Sequence, residues 1–217
     1  MSITKNLHKI KAQIPEDVGL VAVSKTKPIS DLMQAYNEGQ RMFGENRVQE
    51  MAEKYEKMPK DIEWHAIGHV QRNKVKYMAE FVSLVHSVDS PRLLKELNKQ
   101  AKSHDRIIDC LLQLKIAKED SKYGLEEQET QNILLSESFK NMQNVNVVGL
   151  MGMATFTEDQ KQVKSEFDYL KSVFDKLKKI HPKLEILSMG MSGDYEIAID
   201  SGSNMVRIGS NIFGARD

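Results

Sequence analysis

Apolar and polar residues alternate along this chain in two rhythms. Ile3, Leu7, Ile10 and Ile14 open it at the spacing of one helix face. Short apolar runs then recur, each bounded by polar or glycine-containing segments. They predict eight strands, over 19–24, 41–44, 62–67, 82–87, 107–116, 145–151, 184–188 and 205–208. The intervening segments predict helices over about 30–39, 46–57, 71–79, 90–103, 126–138, 159–180 and 194–200. Start signals mark several of them. Ser30 stands at the first, Ser90-Pro91 puts a proline in a first turn, and Thr157-Glu158-Asp159 opens the longest.

Alternating strands and helices predict a parallel sheet covered by helices. Eight such units in a row predict an α/β fold of the (β/α)8 TIM-barrel type with an extra N-terminal helix, and an open doubly wound sheet is the alternative. No linker, low-complexity tract or charge block divides the chain, so residues 1–217 are expected to form one domain. In a barrel, functional residues gather where strands end. The predicted ends carry Lys25, Glu45-Asn46, Gly68-His69, Asp89, Lys115, Met153-Ala154-Thr155, Ser188 to Ser192 and Arg207 to Ser210. These positions are polar, cationic or glycine-rich.

Composition narrows the function classes. Lys+Arg and Asp+Glu balance at 31 each, so there is no global pull toward nucleic acid or an anionic membrane. No stretch approaches the roughly 20 apolar residues of a membrane span. The first residues carry no apolar signal core, and the expected location is cytoplasmic. Cys110 is the single cysteine and sits in an apolar run, which predicts a buried core thiol.

Lys25 is the first candidate for chemistry. The apolar run ending at Val23 delivers it to the start of a loop, Ser24-Lys25-Thr26-Lys27-Pro28. A lysine so placed either opens a solvated loop or, desolvated, serves as a nucleophile or Schiff-base partner of an aldehyde. Near the C-terminus, Ser188-Met189-Gly190-Met191-Ser192-Gly193 and Arg207-Ile208-Gly209-Ser210 follow the seventh and eighth strands. Barrels commonly bind phosphate there, through glycine N–H groups and small hydroxyls. Arg207 lies within an apolar strand and needs a partner, either a carboxylate or a ligand. Asn46 is either a helix cap or a ligand contact. His65 and His69 stand four apart across a strand and its loop, without a zinc motif, and are expected to make hydrogen bonds rather than hold a metal. The basic run from Val70 to Lys76 reads as the polar face of a helix, with an anion contact as the alternative. Met151, Met153, Met189 and Met191, near strand ends, read as core filler. No Walker A motif, dinucleotide fingerprint or nucleophile elbow is present.

Ala22 to Pro28, Phe43-Gly44-Glu45-Asn46, Trp64-His65 with Ile67 to Lys74, Ser188 to Ser192 and Arg207-Ile208-Gly209 together resemble the pyridoxal phosphate homeostasis proteins. The resemblance runs from about residue 3 to Phe213. It implies the alanine racemase N-terminal barrel and a fold-type III pyridoxal 5′-phosphate site. Lys25 would carry the cofactor as a Schiff base. Ser192, Gly209 and Ser210 would hold its phosphate, Arg207 would face the pyridine nitrogen, and Asn46 and Ile67 would line the ring. An arginine at that nitrogen weakens the cofactor as an electron sink.

Alanine racemases need a second base, a tyrosine supplied by a further β-rich domain of a partner subunit. The sequence after the eighth strand is a short tail, so an open site without that base is expected. The resemblance therefore implies a protein that buffers, carries or delivers pyridoxal phosphate without efficient catalysis of its own. Its partners would be the cofactor and pyridoxal phosphate-dependent apo-enzymes, and it would be a monomer. A small amino-acid racemase or lyase is the alternative.

Overall fold

The structure, a computed structural model, describes residues 2–119 and 123–215. Helix α1 (Ile3–Gln13) leads into eight strands: β1 (Gly19–Val23), β2 (Met42–Glu45), β3 (Glu63–Ala66), β4 (Leu84–Val88), β5 (Ile108–Gln113), β6 (Val145–Met151), β7 (Ile186–Met191) and β8 (Met205–Ile208). All pair in parallel and in sequence order, and β8 returns to β1 to close the barrel. Between them run α2 (Ile29–Asn37), α3 (Val48–Lys57), α4 (Pro91–Ser103), α5 (Glu127–Leu135), α6 (Glu137–Lys140), α7 (Gln160–Lys178) and α8 (Tyr195–Asp200). A short α9 (Ser210–Phe213) follows β8. The closed ring decides between the two architectures expected from the sequence: this is the (β/α)8 barrel, not an open sheet.

Strand alternation builds two cores. Leu20 and Ala22 of β1, Trp64 and Ala66 of β3, Cys110 and Leu112 of β5, and Val206 and Ile208 of β8 pack outward against the helices. Val21, Leu84, Leu111, Met151 and Met205 fill a smaller cluster of their own, on the inward face of the strands. Burial pushes the Cys110 thiol well above its usual range, consistent with a core thiol.

Four local expectations need correction. The helix expected over 126–138 breaks at Ser136, whose backbone is extended and whose hydroxyl caps the next helix by accepting from the Phe139 N–H. The segment 71–79 forms a 3-10 helix, Arg72–Tyr77, with Val75 buried and Arg72 and Lys76 in solvent. Strand β7 continues to Met191, beyond its expected end at Ser188. Gly190 has φ +96, and a Cβ there would lie 2.6 Å from the Cβ of Ala198, so glycine lets the strand bend and α8 approach. Strand β5 stops at Gln113.

Gly149 in β6 leaves no room for a side chain, because a Cβ would run into the Ile186 carbonyl of β7. Gly149→Ala is expected to cost about 1–3 kcal/mol through forced backbone movement. Urea unfolding should show a lower midpoint at unchanged slope.

Candidate functional site

The C-terminal ends of the strands surround a cavity of about 880 Å³. That volume is within the range of small-molecule and cofactor sites, roughly 300–1,000 Å³. Lys25, Asn46, Ile67, Ser192, Arg207, Gly209 and Ser210 all line it. Lys25 and Asn46 are half-buried, Ser210 is exposed, and Arg207 is buried. Ladder pairing explains the meeting of chain ends: β1 and β8 are neighbours, with Val21 opposite Arg207 and Ala22 opposite Ile208.

Among the described residues, Arg207 hydrogen-bonds to uncharged oxygens. Its Nη1 donates to the Ser188 carbonyl at 2.9 Å and the Ser188 hydroxyl at 2.5 Å, and its Nη2 donates to the Gly152 carbonyl at 3.2 Å. A guanidinium has five N–H donors, so some remain for the cavity. Burial lowers its pKa to about 10, partly offset by the charge of Asp194, so it stays cationic at neutral pH. Behind it, Ser188 Oγ lies 3.0 Å from His86 Nδ1, and His86 Nε2 lies 2.9 Å from His65 Nδ1. Burial lowers the His65 pKa to about 4. Burial, then the neighbouring His65 ring and the charge of Arg207, hold His86 well below its usual range. Both rings are neutral, as a hydrogen-bonded chain ending on a cation requires.

The loops after β7 and β8 are tied together. The Gly209 N–H donates to Ser192 Oγ at 3.2 Å, and Asn211 Nδ2 donates to the Ser192 carbonyl at 3.0 Å. Helix α9 opens at Ser210; its Ile212 and Phe213 N–H groups donate to the Gly209 carbonyl at 2.9 Å, and the N–H groups of Ser210 and Asn211 have no acceptor within the helix. Two serine hydroxyls and glycine-flanked backbone thus converge on one side of the cavity, with Lys25 on another strand end. These donors suit a phosphate, the cationic Arg207 suits an unprotonated ring nitrogen, and a primary amine suits an aldehyde. The residues present therefore fit pyridoxal phosphate.

Residues 1–217 match the family described as alanine racemase, N-terminal domain. The pyridoxal phosphate homeostasis protein of Vibrio alginolyticus is 39% identical over 231 residues, covering 100% of this chain and 98% of that protein. The chain belongs to the pyridoxal phosphate homeostasis proteins. The family member from Aquifex aeolicus is 39% identical over 199 residues, covering 91% of this chain and 86% of that protein. Among solved structures, PipY of Synechococcus elongatus PCC7942, determined with PLP bound, superposes with a TM-score of 0.89 at 33% identity over 98% of this chain and 100% of that chain. Alanine racemase of Clostridium difficile 630 shares the fold, with a TM-score of 0.82 at 17% identity over 99% of this chain and 56% of that chain.

The other candidates separate in this family's barrel. Asn46 is not the cap of α3, since that position is Arg47 and no side chain caps it. A Cβ on Gly68 would lie 2.5 Å from the Asn46 carbonyl, so glycine there lets the end of β3 sit against Asn46. His65 and His69 do not converge. His65 is inside with His86, whereas the exposed His69 lies at the cavity rim, its Nδ1 3.0 Å from Asp89. Thr155 lines the cavity and Lys115 does not. Sequence reading missed His86, Gln113, Tyr123 and Lys27, which bound or back the cavity. The polar His86 within a buried strand was the available signal.

The buried histidines set a pH dependence. An unfolded histidine titrates near 6.5, above the folded value of about 4 for His65. Below 6.5 the unfolded chain binds more protons, so stability is complete above that pH and falls as pH drops toward the folded values. The slope is about 1.4 kcal/mol per pH unit for each fully depressed histidine. Glu45, raised by burial, opposes this over its own range. The urea midpoint should fall from pH 7 to pH 5, and ¹⁵N shifts at pH 5.5 should still report two neutral rings. A flat midpoint with protonated rings would contradict the neutral assignment.

Proposed function

We propose that this chain binds pyridoxal 5′-phosphate in the cavity, holds it as a Schiff base on Lys25, and maintains intracellular pyridoxal phosphate homeostasis by buffering, carrying or delivering it. One observation carries the reading. An amine, a cation and a hydroxyl-lined glycine loop, from the ends of β1, β8 and β7, face one cofactor-sized cavity. The homologues' name and the PLP-bound PipY structure support it.

Bound there, the cofactor supplies an aldehyde that condenses with a primary amine and releases water. The chain's residues do the rest. Ser192 and Ser210 hold the phosphate through hydroxyl and backbone donors, and Gly209, whose N–H donates to Ser192 Oγ, holds it by shaping the cup and orienting that hydroxyl. Asn46 and Ile67 line the ring. Arg207 keeps the ring nitrogen unprotonated, since its own proton is held firmly and two like charges would repel. A ring nitrogen without a proton is a poor electron sink, which favours storage over carbanion chemistry. We therefore read the protein as no efficient enzyme. Residues 1–217 act as one cofactor-binding domain, monomeric and cytoplasmic, with pyridoxal phosphate-dependent apo-enzymes as recipients. No helix among the described residues is long and apolar enough to cross a membrane.

Adding pyridoxal phosphate should give a visible absorbance band that borohydride abolishes. Peptide mass spectrometry should then find the phosphopyridoxyl adduct on Lys25, and Lys25→Ala should lose both signals. A protein that stays colourless and unlabelled would overturn the cofactor reading. Saturable, Lys25-dependent turnover across an amino-acid panel would instead favour a small racemase or lyase. Lys25-dependent reactivation of an apo-enzyme would support delivery.

A further inference from the structure

A buried charged cluster lies outside the cavity, between β2 and α3. Lys54 Nζ of α3 donates to Glu45 Oε1 at 2.7 Å, to Glu50 Oε1 at 2.7 Å and to the Ser24 carbonyl at 2.9 Å. Ser24 Oγ donates to the same Glu45 Oε1 at 2.5 Å. The Thr26 N–H donates to Glu50 Oε1 at 2.6 Å. Every bond that leaves this cluster toward the loop therefore ends on residue 24 or residue 26, the two neighbours of Lys25.

The arrangement is costly for a purely structural element. Glu45 and Lys54 are both buried, and an apolar pair would fill such a layer without the desolvation penalty. Glu45 Oε2 is buried with no hydrogen-bond partner among the described residues. Thr26 adopts φ +66, a left-handed conformation that a β-branched residue disfavours. The Glu50 bond to its N–H holds it there. A strained residue gripped on one side and a clamped serine on the other fix the backbone from which the Lys25 side chain departs.

We propose that Lys54, Glu45 and Glu50 are positioning residues that aim Lys25 at the aldehyde of the cofactor. The inference rests on the function proposed above. In the step concerned, Lys25 Nζ adds to the aldehyde carbon, the carbonyl oxygen leaves as water, and a C=N bond replaces C=O. The cluster touches none of the reacting atoms. It sets the approach of the amine, and small errors in approach slow such reactions steeply.

Glu50 is the test position because it is partly exposed and its removal leaves the Glu45–Lys54 pair in place. Glu50→Ala removes the acceptor of the Thr26 N–H, and Glu50→Gln keeps an oxygen there. Two probes separate aiming from general damage. Pyridoxal phosphate reports the rate of C=N formation by absorbance. Pyridoxine 5′-phosphate, an alcohol that cannot condense, reports ring and phosphate binding alone. Glu50→Ala should slow C=N formation by about 10- to 100-fold. It should leave pyridoxine 5′-phosphate affinity unchanged, and Glu50→Gln should restore most of the rate. Condensation at the wild-type rate in Glu50→Ala would overturn the inference alone. So would a parallel loss of pyridoxine 5′-phosphate affinity, which marks a structural role. A wild-type protein that forms no Lys25 adduct would instead overturn the functional reading on which the inference stands.

Discussion

Eight parallel strands that close on themselves must all finish at the same rim. That constraint organises everything else in this protein. Each strand ends at one mouth, whatever its place in the sequence. Lys25, Asn46, Arg207 and Ser210 meet because they end or follow β1, β2 and β8, not because any local motif joins them. Closure also fixes the alternation of faces. Shifting any strand by one residue would turn its helix-facing side chains into the barrel and expel the inward ones.

The inward face carries an unusual load. Its lower part is apolar, with Val21, Leu84, Leu111 and Met205 in contact. Above it, His65, His86, Ser188 and Arg207 form a hydrogen-bonded chain across the barrel. A buried guanidinium would be prohibitive alone. Here two carbonyls and a hydroxyl satisfy part of it, and neutral histidines extend the chain without adding a second charge. The arginine is thereby held rigidly at the floor of the cavity while keeping its charge.

How much of this was legible in the sequence depended on distance along the chain. The strands were readable because each is a short apolar run closed by polar or glycine residues. The site residues were readable because a barrel converts strand ends into neighbours. The end of β7 was misplaced because Ser188 to Gly193, small, hydroxyl-bearing and glycine-containing, has the composition of a loop. Ser136 hid a break because a serine followed by glutamate fits both a helix interior and a new cap. The chain behind Arg207 was invisible, since Ser188 and His86 come from β7 and β4, which are not ladder neighbours and meet here only across the interior of the closed ring. Lys54 was invisible for a different reason. With Glu50 four residues before it, it looks like a solvent-facing helix pair, and only the fold shows that it points into the wall.

The pairing of β1 with β8 has a consequence for the order of events during synthesis. The strand that delivers Lys25 is made well before its ladder partner, which carries Arg207. Until the ring closes, the amine has neither its facing cation nor the loop that follows β7. A nascent chain emerging N-terminus first therefore exposes the lysine long before the pocket exists. Such sequence-distant pairing comes late and slowly in folding. The last strand acts as a gate in time, and a truncated chain would present a lysine but no site.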